Sequence, residues 1–123
     1  MILYIQLFTS TGDRQKMKKL LVLSVFLHMM DYVTTYIGVA KMGAKELNPF
    51  VKSMIEKGQW NRVFALKVAA IGQGILMSRT SRGKSYLIVS NALMGAVVAS
   101  NSIQIAIRFW MDMADRREIR EAR

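Results

Sequence analysis

Residues 20–40 read LLVLSVFLHMMDYVTTYIGVA. This is the length a membrane-spanning helix needs, ~20 predominantly apolar residues. His28 and Asp31 are its only strongly polar members. An ionised carboxylate near the middle of such a run costs ~2.5–3.5 kcal/mol on insertion scales, so Asp31 demands a partner. One stretch thus sets two expectations: a helix that crosses a bilayer, and a polar interior that the rest of the chain must complete.

Working outward, Lys18 and Lys19 stand immediately before this run, and residues 9–19 are polar and basic. The segment from Met17 (MKKLLVLSVF) looks like the start of a bacterial membrane protein, so translation from Met1 or from Met17 fits the sequence. The run lacks a small-x-small cleavage site and Asp31 interrupts it, which argues against a cleaved signal peptide. Residues 1–8 are apolar but too short to span, so 1–16 reads as an extension or interfacial segment. Downstream, Asn48-Pro49 has the form of an N-cap followed by N1, where the missing proline N–H costs nothing. Phe50, Val51, Met54 and Ile55 then share one side of a short helix over 49–57, with Gly58 suited to its end and Trp60 to an interface. Residues 62–77 form a second apolar run containing Lys67 and Gln73, and residues 86–111 a third containing Asn91, Asn101 and Gln104. Residues 112–123 are a charged tail in which Asp112 with Arg116 and Arg117 with Glu121 are spaced for i,i+4 pairs.

The expected fold is therefore all-α: an integral membrane bundle of about three transmembrane helices over residues 17–111, with a short interfacial helix and a charged C-terminal helix. Composition agrees. The chain has 123 residues, 52% hydrophobic, with a net charge of +10. The apolar residues come in blocks with basic residues between them, as when Lys and Arg hold segment ends at headgroups. Nucleic-acid binders instead concentrate charge in a patch or motif, so no nucleic-acid partner is expected. The absence of cysteine excludes disulfides, thiolate metal sites and a cysteine nucleophile. By the positive-inside rule, Lys18, Lys19 and the loop with Arg79, Arg82 and Lys84 belong in the cytoplasm, which puts the N-terminus inside and the first connection and C-terminus outside. Lys41, Lys45, Lys52 and Lys57 in that connection, and the arginines of the tail, oppose this assignment.

Lys67 is the expected partner of Asp31. Counted from their shared loop, the two differ in depth by roughly 6 Å at 1.5 Å per residue, within reach of a lysine stem. The bland role is an ion pair that fixes helix register; the sharper one is an ion or proton relay. Thr34 and Thr35 follow at helical spacing, and Thr35 is placed to reach the Asp31 carboxylate. His28 and Asp31 are weak metal candidates, since there is no other histidine, and a hydrogen-bonded interior histidine is the plainer reading. Asn91, Asn101 and Gln104 are interhelical hydrogen-bonding groups. Ala92, Gly95, Ala96 and Ala99 offer a small-residue face for close helix packing, within one chain or between copies. No phosphate loop, nucleophile elbow, zincin helix or dinucleotide fingerprint is present, so neither an enzyme nor a cofactor is expected.

Asp31-x-x-Thr34-Thr35, then Gly43-x-x-Glu46-x-Asn48-Pro49, then Lys67 and Asn101 resembles a family of small three-span membrane proteins, the domain of unknown function DUF5658. The likeness covers about residues 17–111. It implies a fold and topology but no activity, and it implies one polar cluster of Asp31, Thr35, Glu46, Asn48, Pro49, Lys67 and Asn101. In that cluster Lys67 would bridge Asp31 and Glu46.

Three functions compete. The first is a structural or interaction subunit in the bilayer that self-associates or binds a larger membrane protein. The second is a holin-like pore or lesion former, suggested by size, layout, charged tail and paired starts. The third is a small oligomeric transporter built on the Asp–Lys cluster. The expected site is a bacterial or phage-encoded inner-membrane location, and the first function is preferred.

Overall fold

The computed structural model describes residues 11–46 and 48–123. The apolar run expected over residues 1–8 lies outside them. Four helices account for most of the described chain: α1 (Thr11–Tyr36), α2 (Pro49–Glu56), α3 (Trp60–Met77) and α4 (Gly83–Glu121). No strand occurs among the described residues.

Helix α1 starts at Thr11, upstream of Met17, with Asp13 in its first turn where a negative charge suits the helix dipole. The boundary expected near residue 16 therefore falls inside a continuous helix. At its far end α1 widens into a π-helical turn, Ile37–Lys41. Gly43 then takes a left-handed φ of 68°, and the Ala44 amide reaches back to the Gly38 carbonyl at 2.8 Å. A residue with a Cβ would be strained at Gly43, so the glycine is what lets the chain leave the helix there.

Helix α2 begins as its sequence predicts. Asn48 Oδ1 accepts from the Phe50 amide at 3.0 Å, Pro49 occupies the first turn, and Gly58 follows the helix with φ 70°. Val51 is buried and Met54 and Ile55 half-buried, but Phe50 is 71% exposed and turns away from the bundle.

Helices α1 and α3 are antiparallel: Asp31 meets Lys67 at one level and Ser24 meets Gly74 at another. Helices α1 and α4 run parallel: Leu20 pairs with Asn91, Asp31 with Asn101, and Met42 with Arg108. This arrangement gathers the basic start of α1 and the basic 78–82 turn at one end of the bundle. The α3–α4 turn is tight. A Cβ at Gly83 would stand 2.8 Å from the Met77 carbonyl carbon and the Ser78 Cα, a spacing real side chains do not adopt.

Two helical stretches are long and apolar enough to cross a membrane, Gly12–Lys41 and Gly83–Glu121. Helix α3 is 18 residues long and is not of that kind, because Arg62, Lys67 and Gln73 lower its hydropathy. The third expected span and the charged tail also prove to be one helix of 39 residues. Nothing between Gly95 and Glu121 terminates it, and Asp112–Arg116 (3.2 Å) and Arg117–Glu121 (3.3 Å) pair along its exposed end.

Burial is inverted relative to a water-soluble domain. Ser24, His28, Asp31, Thr34, Thr35, Ser78 and Asn91 are buried, beside only Leu27, Val51, Val63 and Leu87 among the apolar residues described. Val22, Phe26, Leu76, Leu93, Ile103 and Trp110 are among the large hydrophobic residues left exposed. In α1 the buried residues recur at three and four, so a polar stripe faces inward on an otherwise apolar helix.

Candidate functional site

The polar stripe of α1 culminates at Asp31, which is 5% exposed. Lys67 Nζ, from α3, donates to Asp31 Oδ2 and forms the interior ion pair. The other carboxylate oxygen, Oδ1, accepts from Thr35 Oγ1 at 3.3 Å and from Asn101 Nδ2 at 3.2 Å. Asn101 Nδ2 also lies 3.1 Å from Thr34 Oγ1 and 3.4 Å from Thr35 Oγ1. Thr34 passes its own hydroxyl hydrogen back to the Met30 carbonyl at 2.8 Å. Three helices thus converge on one carboxylate, and both its oxygens have partners. This is the arrangement a buried charge needs, since an unpaired one would carry its full desolvation penalty.

The spacing in α1 explains the local part. Thr34 and Thr35 follow Asp31 by three and four residues, so all three project on one face. The aromatic residues beside them fix the level of α3. Tyr32 packs edge-on against Phe64 at 5.3 Å and Trp60 at 6.2 Å, and Tyr36 against Trp60 at 4.9 Å. Seven residues after Trp60, Lys67 then falls level with Asp31.

Of the residues expected to cluster, Asp31, Thr35, Lys67 and Asn101 are in direct contact. Glu46 is not bridged to Lys67. Its Oε1 accepts from the Asn48 amide at 3.0 Å, a local closure of the loop ahead of α2. Asn48 in turn caps α2, and Pro49 stands exposed at the start of that helix. Glu46 and Asn48 nonetheless join Asp31, Thr34, Thr35, Lys67 and Asn101 around one cavity of about 610 Å³. Lys45, Gln104 and Arg108 also line it, and sequence reading did not assign them there. For Arg108 a signal existed: it lies seven residues, two helical turns, beyond Asn101 on the same face of α4.

His28 lies one turn below Asp31, buried, with its Nδ1 making no hydrogen bond among the described residues. No three His, Asp or Glu side chains among the described residues come together as a metal site. Asn91 donates to the Leu20 carbonyl at 3.0 Å, while its Oδ1 is buried without a partner. Ala92, Ala96 and Ala99 are exposed, Gly95 is half-buried, and a Cβ at Gly95 would meet nothing within 4 Å.

No curated protein and no solved structure matches the chain. A family's sequence model does match, over residues 22–111, a stretch that holds every residue lining the cavity. The chain belongs to that family, described as a domain of unknown function (DUF5658).

Proposed function

We propose that this chain is an integral membrane protein of three crossing helices that acts as a self-associating subunit through the open face of α4. Support for the membrane placement comes from the inverted burial, with polar side chains inside and large hydrophobic ones outside, as lipid rather than water requires. If α1 and α4 both cross, their parallel directions oblige the chain between them to return across the bilayer. Helix α3 is the segment available, and its 18 residues make about 27 Å, close to the ~30 Å of a hydrocarbon core. Its one interior charge, Lys67, is neutralised by Asp31.

The observation that carries the subunit reading is the position of Ala92, Gly95, Ala96 and Ala99. Small residues in membrane helices serve close approach of a neighbour, and none of these four is packed tightly against this chain's own helices. No reaction is assigned to the protein.

The test is the mass of the purified protein in a native-like lipid particle, wild type beside Gly95→Leu. Open space at Gly95 means that leucine fits the single chain without strain, so folding is preserved. The wild type is expected to run as an oligomer and the variant as a smaller species. A monomeric wild type, or an oligomer that Gly95→Leu leaves intact, sinks the reading.

A further inference from the structure

We propose that the cavity beside Asp31 and Lys67 is a binding site for a membrane lipid whose headgroup carries a phosphodiester and a primary ammonium. The proposal rests on the membrane placement of the helices, and not on self-association.

The cavity is built with two kinds of wall. Helices α3 and α4 touch near their turn, where a Cβ at Gly74 would sit 3.4 Å from Leu87 Cδ2. Farther from the turn they separate. Val63 and Lys67 of α3 then face residues 93–108 of α4 across the cavity. That stretch of α4 covers about 22 Å along the helix axis, longer than a headgroup and suited to a headgroup with the first part of an acyl chain. Leu93 and Val97 line the cavity and keep 64% and 42% of their surface exposed, so apolar wall is open to the surroundings there, as an acyl chain would require. A soluble metabolite would gain nothing from that opening.

The rim that carries Lys45, Glu46 and Arg108 is charged, and its charges are unspent. Lys67 is neutralised by Asp31. Lys45, Glu46 and Arg108 form no ion pair with any described residue. Arg108 uses Nη1 on the Met42 carbonyl at 3.1 Å, and Glu46 uses Oε1 on the Asn48 amide, which leaves each with hydrogen-bonding capacity to spare. Two cations and one carboxylate on one rim complement a group that presents a phosphate and an ammonium together. A purely anionic headgroup would satisfy Lys45 and Arg108 but leave Glu46 facing like charge. A trimethylated headgroup would bring positive charge without N–H donors. Lys45 and Arg108 would take the phosphate, the guanidinium by paired N–H donors, and Glu46 would accept from the ammonium.

Native mass spectrometry of the full chain, released from particles of equimolar phosphatidylethanolamine, phosphatidylglycerol and phosphatidylcholine, reads the bound lipid. Phosphatidylethanolamine is expected to be retained over phosphatidylcholine by about tenfold, the scale of one charge-assisted hydrogen bond. Glu46→Gln should erase the preference over phosphatidylglycerol. Arg108→Gln should lower retention of all three phospholipids, and Arg108→Lys should restore part of it. Equal retention of all three lipids, or preferences that Glu46→Gln and Arg108→Gln leave unmoved, overturns the proposal. Displacement of bound lipid by millimolar inorganic phosphate overturns it in favour of a soluble anion. Release of the protein from membranes by alkaline carbonate overturns the membrane placement and the lipid site together.

Discussion

The two ends of the bundle are held together by different physics. At the turn end the helices touch. Gly74 admits Leu87 and Ser24, Gly83 admits the Met77 backbone, and Leu87 is fully buried. At the other end α3 and α4 part, and a hydrogen-bonded ion pair links α1 to its neighbours in place of close packing. In the membrane setting proposed above, apolar contact gives little net drive between helices, because a lipid tail is as good a neighbour as a leucine. Close approach of small residues and satisfied polar groups are the two means left, and this molecule uses one at each end. The end held by polar groups is also the end that has room for a ligand.

The sharpest way to break this comparison is to remove one member of the ion pair. Lys67→Met leaves the Asp31 carboxylate buried without its cation, and a loss of about 3–5 kcal/mol is expected. Adding Asp31→Asn should recover most of that loss, because the orphaned charge goes and the amide still accepts from Thr35 and Asn101. Unfolding midpoints in lipid or detergent for the two variants check this. A single variant as stable as the double would mean that the pair does not hold the open end.

The complementary change tests the closed end. Gly83→Ala puts a Cβ into the Met77 backbone, and overpacking of this kind costs about 1–3 kcal/mol. The same substitution at Gly95, mid-helix and with open space, should not lower the unfolding midpoint of the single chain and should raise it slightly, since Ala favours a helix over Gly by about 0.5–1 kcal/mol. If both glycines tolerate alanine equally, the turn is not the packed anchor described here.

How much of this was legible in the sequence depends on the range of the interaction. The Asp31–Thr35 contact, the Asn48 cap of α2 and the two ion pairs on the tail each follow from helical periodicity or from one residue beside another, and all are present. The Asp31–Lys67 pair was legible too, because both residues are counted in depth from the one connection that joins their helices. Glu46 does line the cavity with the other members of the cluster, but its expected bridge is absent. A bridge to Lys67 looked reasonable by charge, but a closer donor, the Asn48 amide two residues away, holds its carboxylate. Lys45 was missed as a cavity residue because nothing local says that α3 and α4 separate, whereas Arg108 was readable from its place two turns beyond Asn101 on the same face of α4. The break expected before the tail was absent for a readable reason, since residues 96–121 contain neither proline nor glycine.

The smallest expected effect concerns the amides of α4, and it refines what satisfaction means in this bundle. Asn91 and Asn101 lie on the same helix and both reach α1, but their partners differ. Asn101 donates to a carboxylate and two hydroxyls that rely on it. Asn91 donates to the Leu20 carbonyl, which lies inside α1 and has a helical donor of its own, and Asn91 Oδ1 is buried with no partner. Asn91→Leu therefore removes one interhelical hydrogen bond and one unsatisfied acceptor at once. Such bonds average only ~0.6 kcal/mol within membranes, so the two changes should nearly cancel and the unfolding midpoint should barely move. A large loss on Asn91→Leu would show that the turn end also depends on a polar tie, and the division between a packed end and a hydrogen-bonded end would have to be redrawn.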